Sequence, residues 1–111
     1  YETTFRVVTE AIDRYPRLRG IYMANLSVSG CAAAIEQAGK KGAIRLICHD
    51  LNESVRQLLL RGSIDFTIPQ NLRQQGYGPL ILLRDILRRK AVPDAARFNR
   101  QIDIVCSDNL P

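Results

Sequence analysis

Helix-like and strand-like patterns alternate along this chain, and this alternation constrains the fold more than any other feature of the sequence. Short apolar runs at Gly20–Ala24, Ala43–Cys48 and Ile64–Ile68 have the length of strands, and stretches with apolar residues at helical spacing separate them. Strands that alternate with helices form βαβ units, in which the strands are parallel and the crossovers are right-handed. The sequence therefore predicts an α/β lobe with three layers around a parallel sheet.

The helical stretches carry recognisable end signals. Three helices are predicted, at Thr3–Tyr15, Val28–Ala38 and Asn52–Arg61. Pro16 ends the first helix, because the residue before a proline is pushed out of the α region. Ser27 or Ser29 can cap the second helix, and Asn52 is a favourable N-cap for the third, which Gly62 closes.

A longer helical pattern follows the third strand and includes Leu80, Leu83, Ile86 and Leu87. Gly78-Pro79 lies inside this pattern, and proline is expected either to kink the helix or to delay its start. After a loop around Pro93, polar and apolar residues alternate over Gln101–Cys106. This alternation predicts a final extended segment.

Length and charge exclude some classes of protein. The 111 residues suffice for one compact domain, and no apolar run approaches the roughly 20 residues that span a bilayer. The net charge of +5 favours acidic partners such as nucleic acids. The arginines are dispersed, however, and the run Arg88–Lys90 ends a helical pattern, where cations complement the helix dipole. We therefore expect a solvated basic surface and no direct contact with DNA or membrane.

Cysteine usage bears on the compartment. Cys31, Cys48 and Cys106 are odd in number and widely spaced, which is neither a disulfide framework nor a zinc motif. Cys31 lies in an Ala-rich helical stretch and Cys48 in an apolar strand, so both are predicted to be buried. Free buried thiols suit a reducing compartment and predict a cytoplasmic location. A metal site formed by Cys48, His49 and Cys106 is an alternative that would need the fold to unite them.

Polar residues follow each predicted strand, namely Asn25, Asp50 and Gln70. Ligands of an open parallel sheet bind beyond the carboxyl ends of its strands. A carboxylate accepts hydroxyl hydrogens, and an amide both donates and accepts, so this set suits a polyhydroxylated ligand. The alternative is that Asn25 and Asp50 merely cap the following helices. His49, the single histidine, is either a ligand contact or a packed loop residue.

Catalysis has little support in the sequence. His49 beside Asp50 could serve a hydrolase with Ser27 or Ser29 as the nucleophile. No G-x-S-x-G pattern is present, and adjacent residues of an extended segment point in opposite directions. No Gly-rich phosphate loop or dinucleotide fingerprint is present either. We therefore predict a binding protein without catalytic residues, metal ion or cofactor.

Four segments match motifs of one known family in order along the chain. They are Tyr22–Asn25 with Gly30 ("AN", four residues, "G"), Ile44–Asp50 ("VVG(Y/F)D"), Leu60–Gln70 with Gln75–Tyr77 ("G-x-x-x-x-x-I-x-Q…QGY"), and Ser107–Pro111 ("eNLP"). Together they resemble the lactose-repressor (LacI) family of transcriptional regulators over nearly the whole chain.

The resemblance implies a type I periplasmic-binding-protein fold, in which two α/β lobes close on a small ligand, usually a sugar. Residues 1–111 would be the C-terminal part of the effector-binding domain, without the DNA-binding head and most of the other lobe. In that family the residues matching Asn25, Asp50 and Gln70 contact the ligand, and the match to Gln70 lies at a crossover between lobes. The helices matching Val28–Ala38 and Asn52–Arg61 form part of a homodimer interface.

Two departures from the family pattern lie beside the expected ligand contacts. Leu26 stands where the family often has Asp, and Cys48-His49 replace Gly and an aromatic residue. The identity of the ligand therefore stays open. The resemblance implies an effector-binding domain for a small sugar or related polyol, which reaches DNA only through an absent N-terminal head. The alternatives are a periplasmic sugar-binding protein of an ABC transporter and a doubly wound α/β enzyme.

Overall fold

The computed structural model describes residues 1–70, 72–89 and 102–111. These residues belong to two compact units, Tyr1–Pro69 with Asp103–Pro111, and Gln70–Ile102. None of the described helices combines the length and apolar character needed to cross a membrane. Pro93 and Gln101, and with them the predicted loop and the start of the final extended segment, lie outside the described residues.

The first unit alternates helices and strands in the predicted order. Its elements are α1 (Glu2–Arg14), β1 (Gly20–Met23), α2 (Val28–Gln37), β2 (Arg45–His49), α3 (Glu53–Leu60), β3 (Phe66–Ile68) and a final 3-10 turn (Ser107–Asn109). The three strands form one parallel sheet in the order β1-β2-β3. The predicted α/β class and parallel sheet are confirmed, and the boundaries of α1–α3 and β1–β3 lie within two residues of their predicted positions.

Local chemistry fixes the ends of these helices. The Asn52 side chain caps α3 as predicted, because its Oδ1 accepts a hydrogen bond from the Val55 amide at 2.9 Å. Ser27 occupies the N-cap position of α2, but its side chain makes no capping hydrogen bond. Gly62 follows α3 with a φ of 65°, a left-handed conformation that glycine adopts without strain.

One hydrophobic core joins the sheet to α1, α2 and α3. Its buried members include Val8 and Ile12 of α1, Cys31 and Ile35 of α2, Leu46 and Cys48 of β2, and Val55 and Leu59 of α3. Side chains of a strand alternate between its two faces, so the neighbours Ile47 and His49 lie on the less buried face of β2. The sheet is thus packed tightly on one face only within the described part of the chain.

Gly30 allows α1 and α2 to pack closely against each other. A Cβ atom at this position would lie 2.7 Å from the carbonyl oxygen of Tyr1, a distance shorter than any normal contact. Glycine alone allows this approach, because the obstructing atom belongs to the main chain and cannot rotate away. The glycine of the first sequence motif is therefore a packing residue between two helices.

The second unit contains a long helix, α4 (Leu72–Arg89), with Pro79 in its interior. Of the two effects expected from Gly78-Pro79, a delayed start is wrong, because the helix already begins at Leu72. The proline removes one N–H donor and crowds one carbonyl, and the remaining hydrogen bonds of the 18-residue helix outweigh that loss. Large apolar side chains of α4 are exposed, namely Leu72, Tyr77, Leu80, Leu83 and Leu87.

The final segment belongs to the first unit. Within the predicted extended segment, Val105 makes an isolated antiparallel bridge with Thr67, with N···O distances of 2.8 and 2.9 Å. Leu110 packs against the core. The Asn109 side chain accepts a hydrogen bond from the Cys106 amide at 2.8 Å and so fastens the turn. The segment that ends in the "NLP" motif is therefore attached to the lobe through β3 and the core.

Candidate ligand-binding site

The carboxyl ends of β1 and β2 lie at one edge of the sheet. Met23 pairs with Cys48 in the parallel register, and Asn25 and Asp50 each follow that pair by two residues. The register therefore places Asn25 and Asp50 at the same edge. Their role as ligand contacts stays a prediction.

Asn25 uses part of its amide within its own loop. Its Oδ1 accepts a hydrogen bond from the Ser27 amide at 3.0 Å, which forms an Asx turn at the entry to α2. Because Ser27 is the N-cap residue of α2, Asn25 does not cap the helix, and its side chain instead holds the turn that precedes it. The side chain is exposed, and its Nδ2 group can donate to a ligand oxygen while Oδ1 holds the turn.

Asp50 has a backbone conformation that is unusual for its residue type. Its φ of 67° makes it the one described non-glycine residue in the left-handed region, where an L-residue loses about 1 kcal/mol or more. Two hydrogen bonds hold the residue there. Its amide donates to the Ile68 carbonyl at 3.0 Å, and its carbonyl accepts from the Thr67 hydroxyl at 2.5 Å. Since Asn52 caps α3, the capping alternative is wrong for Asp50.

Thr67 is the residue at this edge that the sequence interpretation missed. It is fully buried, with 0% of its surface exposed, and its hydroxyl lies 2.5 Å from the Asp50 carbonyl oxygen and 3.2 Å from that of Cys48. A buried hydroxyl requires a hydrogen-bond partner. A threonine within an otherwise apolar strand was the available signal, although threonine is also a common strand residue.

Two thiols lie in the core beneath these strand ends. Burial raises the pKa of the Cys31 thiol to about 11, with the charge of Cys48 adding to the shift. The pKa of Cys48 is raised above its usual 9.0 by burial; a hydrogen bond with Thr67 opposes the shift and the Asp50 carboxylate adds to it. Both thiols are free and buried, as predicted, whereas Cys106 is partly exposed. Thiols with raised pKa values are protonated at neutral pH and unreactive.

His49 contacts a tyrosine. The Tyr22 hydroxyl is hydrogen-bonded to His49 Nε2, and the two rings meet edge to face with centroids 5.4 Å apart. His49 Nδ1 is buried and has no hydrogen-bond partner among the described residues. The hydrolase alternative would pair His49 with Ser27 or Ser29, whereas the described side-chain partner of His49 is Tyr22. Nothing in the apolar run around Tyr22 indicates this pairing, because tyrosine is common in strands.

No three His, Cys, Asp or Glu side chains in the described part of the chain are grouped so that they could hold a metal ion. The alternative site of Cys48, His49 and Cys106 is therefore not formed by the described residues. Cys48 is buried in the core, whereas His49 lies on the opposite face of β2. The alternation of side chains along the strand keeps the two apart.

Gln70 follows β3 by two residues, is exposed, and is the first residue of the second unit. Its spacing after the strand matches that of Asn25 after β1. A shared ligand site that includes Gln70 stays a prediction.

Comparison with known proteins places the chain among ligand-binding folds. Residues 1–91 match the family model described as a periplasmic binding protein domain. The D-allose-binding periplasmic protein of Escherichia coli (strain K12) is 31% identical over 80 residues, which are 71% of this chain. The matched region is 26% of that relative, so the chain spans about a quarter of its length.

Solved structures agree on the fold. GanP, a glucose-galactose binding protein from Geobacillus stearothermophilus, superposes with a TM-score of 0.81 at 21% identity and covers 97% of this chain and 38% of its own. A periplasmic solute binding protein of an ABC transporter from Actinobacillus succinogenes 130z, solved with bound D-allose, gives a TM-score of 0.77 at 18% identity, over 96% and 37% of the two chains. The expected type I periplasmic-binding-protein fold, in part, is confirmed. This chain belongs to the periplasmic binding protein domain family.

Proposed function

We propose that this chain is the C-terminal part of a sugar-binding protein of the kind that serves an ABC transporter, with Asn25, Asp50 and Gln70 as ligand contacts. The observation that carries the proposal is the backbone conformation and partial exposure of Asp50. Asp50 is a partly exposed carboxylate at the carboxyl edge of a parallel sheet, on a backbone held in the left-handed region. Backbone strain that the surroundings maintain is concentrated at functional sites.

The chemistry of this edge suits a sugar. Sugar hydroxyls would donate charge-assisted hydrogen bonds to Asp50, which are about twice as strong as neutral ones. The Asn25 Nδ2 group would donate to a hydroxyl or ring oxygen, and Gln70 would both donate and accept. His49 is a fourth candidate contact, because it is partly exposed and directly precedes Asp50. No chemical step is needed, in keeping with a family of generally non-enzymatic binding proteins.

The similar proteins support the class of ligand. Their names refer to D-allose or to glucose and galactose, and one belongs to an ABC transporter. They therefore favour a solute-binding protein over a gene regulator. They support a sugar in general and leave the individual sugar open.

We further propose that α4 belongs to the other lobe of the complete protein. Its exposed apolar side chains include Leu80, Leu83 and Leu87, and a contiguous apolar helix face is normally covered in a folded protein. Gln70 would then stand at the crossover between lobes. The ligand would be held between the lobes, and its binding would shift an existing equilibrium toward the closed state.

The second candidate is the effector domain of a cytoplasmic lactose-repressor-type regulator. The free buried thiols of Cys31 and Cys48 favour it, because such thiols suit a reducing compartment. It would bind DNA through an N-terminal head and dimerise through α2 and α3. The sequence before Tyr1 distinguishes the two candidates. A helix-turn-helix segment there would support the regulator, and a signal peptide would support the transporter component.

Binding itself is tested on the full-length protein. A thermal-shift screen against D-allose, D-glucose, D-galactose and L-arabinose should find a sugar that raises the melting temperature, because a ligand stabilises the state that binds it. Calorimetry with that sugar should show that Asp50→Ala abolishes binding and leaves the melting temperature of the free protein within a few degrees. Asp13→Ala is the matched control, since Asp13 is an exposed carboxylate on α1. Unchanged affinity in the Asp50→Ala protein would reject the site.

A further inference from the structure

We infer that Thr67 is a positioning residue for the ligand site, whose hydroxyl holds the main chain of Asp50 so that the carboxylate is presented to the ligand. The inference rests on the proposed role of Asp50. It adds a residue that cannot touch the ligand, because Thr67 is fully buried.

The Thr67 hydroxyl has one hydrogen and two nearby main-chain acceptors. The carbonyl oxygen of Asp50 lies at 2.5 Å and that of Cys48 at 3.2 Å, so the main hydrogen bond goes to Asp50. Valine has nearly the same shape as threonine but cannot donate. A valine at this position would leave the carbonyl of Asp50 without its partner from β3.

Asp50 depends on β3 for both of its main-chain hydrogen bonds. Its carbonyl accepts from Thr67, and its amide donates to the carbonyl of the next residue, Ile68, at 3.0 Å. A non-glycine residue at a φ of 67° persists only where the surroundings outweigh the strain. The two adjacent residues of β3 supply that compensation.

Thr67 is itself fixed from its other side. Its amide donates to the Val105 carbonyl at 2.8 Å, and its carbonyl accepts from the Val105 amide at 2.9 Å. The hydroxyl therefore projects from a main chain that is bonded on both edges, to β2 and to the final segment. A donor held in this way imposes its geometry on Asp50 rather than adapting to it.

A matched control separates positioning from ordinary stabilisation. The hydroxyl of Thr9 also donates to a main-chain carbonyl, that of Phe5, at 2.8 Å and in a partly buried place on α1. Thr9→Val therefore removes a comparable hydrogen bond within a helix. Thr67→Ser keeps the hydroxyl at position 67 and serves as the conservative variant.

The first test needs no ligand and uses amide hydrogen exchange in the full-length protein. Thr67→Val should accelerate exchange of the Asp50 amide about five- to tenfold, because loss of the hydroxyl frees the turn to open. Thr67→Ser should restore most of the protection, and Thr9→Val should leave this amide unchanged. Equal protection of the Asp50 amide in the Thr67→Val and wild-type proteins would overturn the inference.

The second test measures affinity by calorimetry for whichever of D-allose, D-glucose, D-galactose and L-arabinose gives the largest thermal shift. Thr67→Val should bind that sugar about tenfold more weakly, with Thr67→Ser within about twofold of wild type and Thr9→Val unchanged. If Asp50→Ala loses affinity and Thr67→Val does not, the positioning role is wrong. If Asp50→Ala itself binds normally, the proposed ligand site fails, and the exchange test still judges the contact between Thr67 and Asp50.

A double-mutant cycle covers the case in which Thr67→Val is too unstable for binding assays. Glycine adopts a positive φ without strain, so Asp50→Gly removes the need for a clamp at that residue. The fall in melting temperature caused by Thr67→Val should then be clearly smaller in the Asp50→Gly background. Strictly additive shifts would contradict the proposed coupling.

Discussion

The ends of β1 and β2 look alike in sequence but are built in different ways. At the end of β1, the Asn25 Oδ1 atom accepts a hydrogen bond from the amide of Ser27 and so holds the loop. At the end of β2, the main chain of Asp50 is held by Thr67 and Ile68 of the neighbouring strand. The comparison shows that a polar side chain at a strand end is released from holding the turn when main-chain and neighbouring groups hold it.

The place of each strand in the sheet explains the difference. β2 is central, with β1 on one side and β3 on the other, so the turn after it can bond to a neighbour. β1 is the outer strand of the described sheet and has β2 alone as a partner. The loop after β1 therefore depends on its own side chains, and the exposed Asn25 provides them.

The largest expected effect concerns charge at the two strand ends. Asp50→Asn should weaken sugar binding roughly 10- to 100-fold, because hydrogen bonds to a charged group contribute about 1.5–3 kcal/mol. Asn25→Asp should cost less, about tenfold or below, since Oδ1 still accepts from Ser27 and only the Nδ2 donor is lost. Calorimetry on both variants checks the ranking. Equal losses would mean that the two ends are equivalent to the ligand.

The next effect concerns backbone strain. Asp50→Val should lower the free energy of unfolding by about 2 kcal/mol, because a β-branched residue tolerates a positive φ poorly. Asn25→Val should cost about 1 kcal/mol through loss of the Asx turn. Chemical denaturation measures both, with Asp50→Gly as the control that retains the backbone conformation. The strain argument is wrong if Asp50→Val and Asp50→Gly are equally stable.

A smaller effect concerns the buried thiols, which lie in one core beneath both ends. The pKa of Cys31 in the folded protein is about 11, against 9.0 ordinarily. Between pH 9 and 11 the folded protein therefore keeps the Cys31 proton that the unfolded chain releases. The contribution of Cys31 to the free energy of unfolding is complete below pH 9 and is lost as the pH rises toward 11. The loss is about 1.4 kcal/mol at pH 10.

Denaturation of the wild-type and Cys31→Ala proteins between pH 8 and 10 isolates this loss. The alanine variant should be less stable at pH 8 but should fall less steeply with pH. Parallel pH profiles for the two proteins would show that Cys31 does not ionise on unfolding as expected.

The smallest effect concerns His49, which lies on the less buried face of β2 directly before Asp50. His49→Phe keeps a ring against Tyr22, breaks the hydrogen bond to the Tyr22 hydroxyl, and removes the unpartnered Nδ1. These losses and gains should offset one another to within about 1 kcal/mol of unfolding free energy. A melting temperature that falls as far as in Asp50→Val would show that His49 is a structural residue of this turn.

Features set by neighbouring residues were predictable from the sequence. The strands, the Asn52 cap and the burial of Cys31 and Cys48 follow from local spacing and side-chain chemistry. The placement of Asn25 and Asp50 at one edge followed from the parallel topology.

Features set by distant partners were not predictable. The left-handed conformation of Asp50 depends on Thr67, and the role of Thr67 depends on Val105, which lies far along the chain. The contact between Tyr22 and His49 likewise joins two strands through side chains that carry no motif. The spacing of residues within one segment cannot predict which residues of distant segments will be in contact.

The bridge between Thr67 and Val105 also bears on the order of folding. The outer edge of β3 stays open until Val105 has left the ribosome, whereas the β1-β2-β3 pairing can form earlier. An open strand edge is a site for aggregation and mispairing with other chains. Chains truncated before Val105 should therefore retain most of the lobe's helices yet aggregate more readily, because the segment around Val105 closes the outer edge of β3.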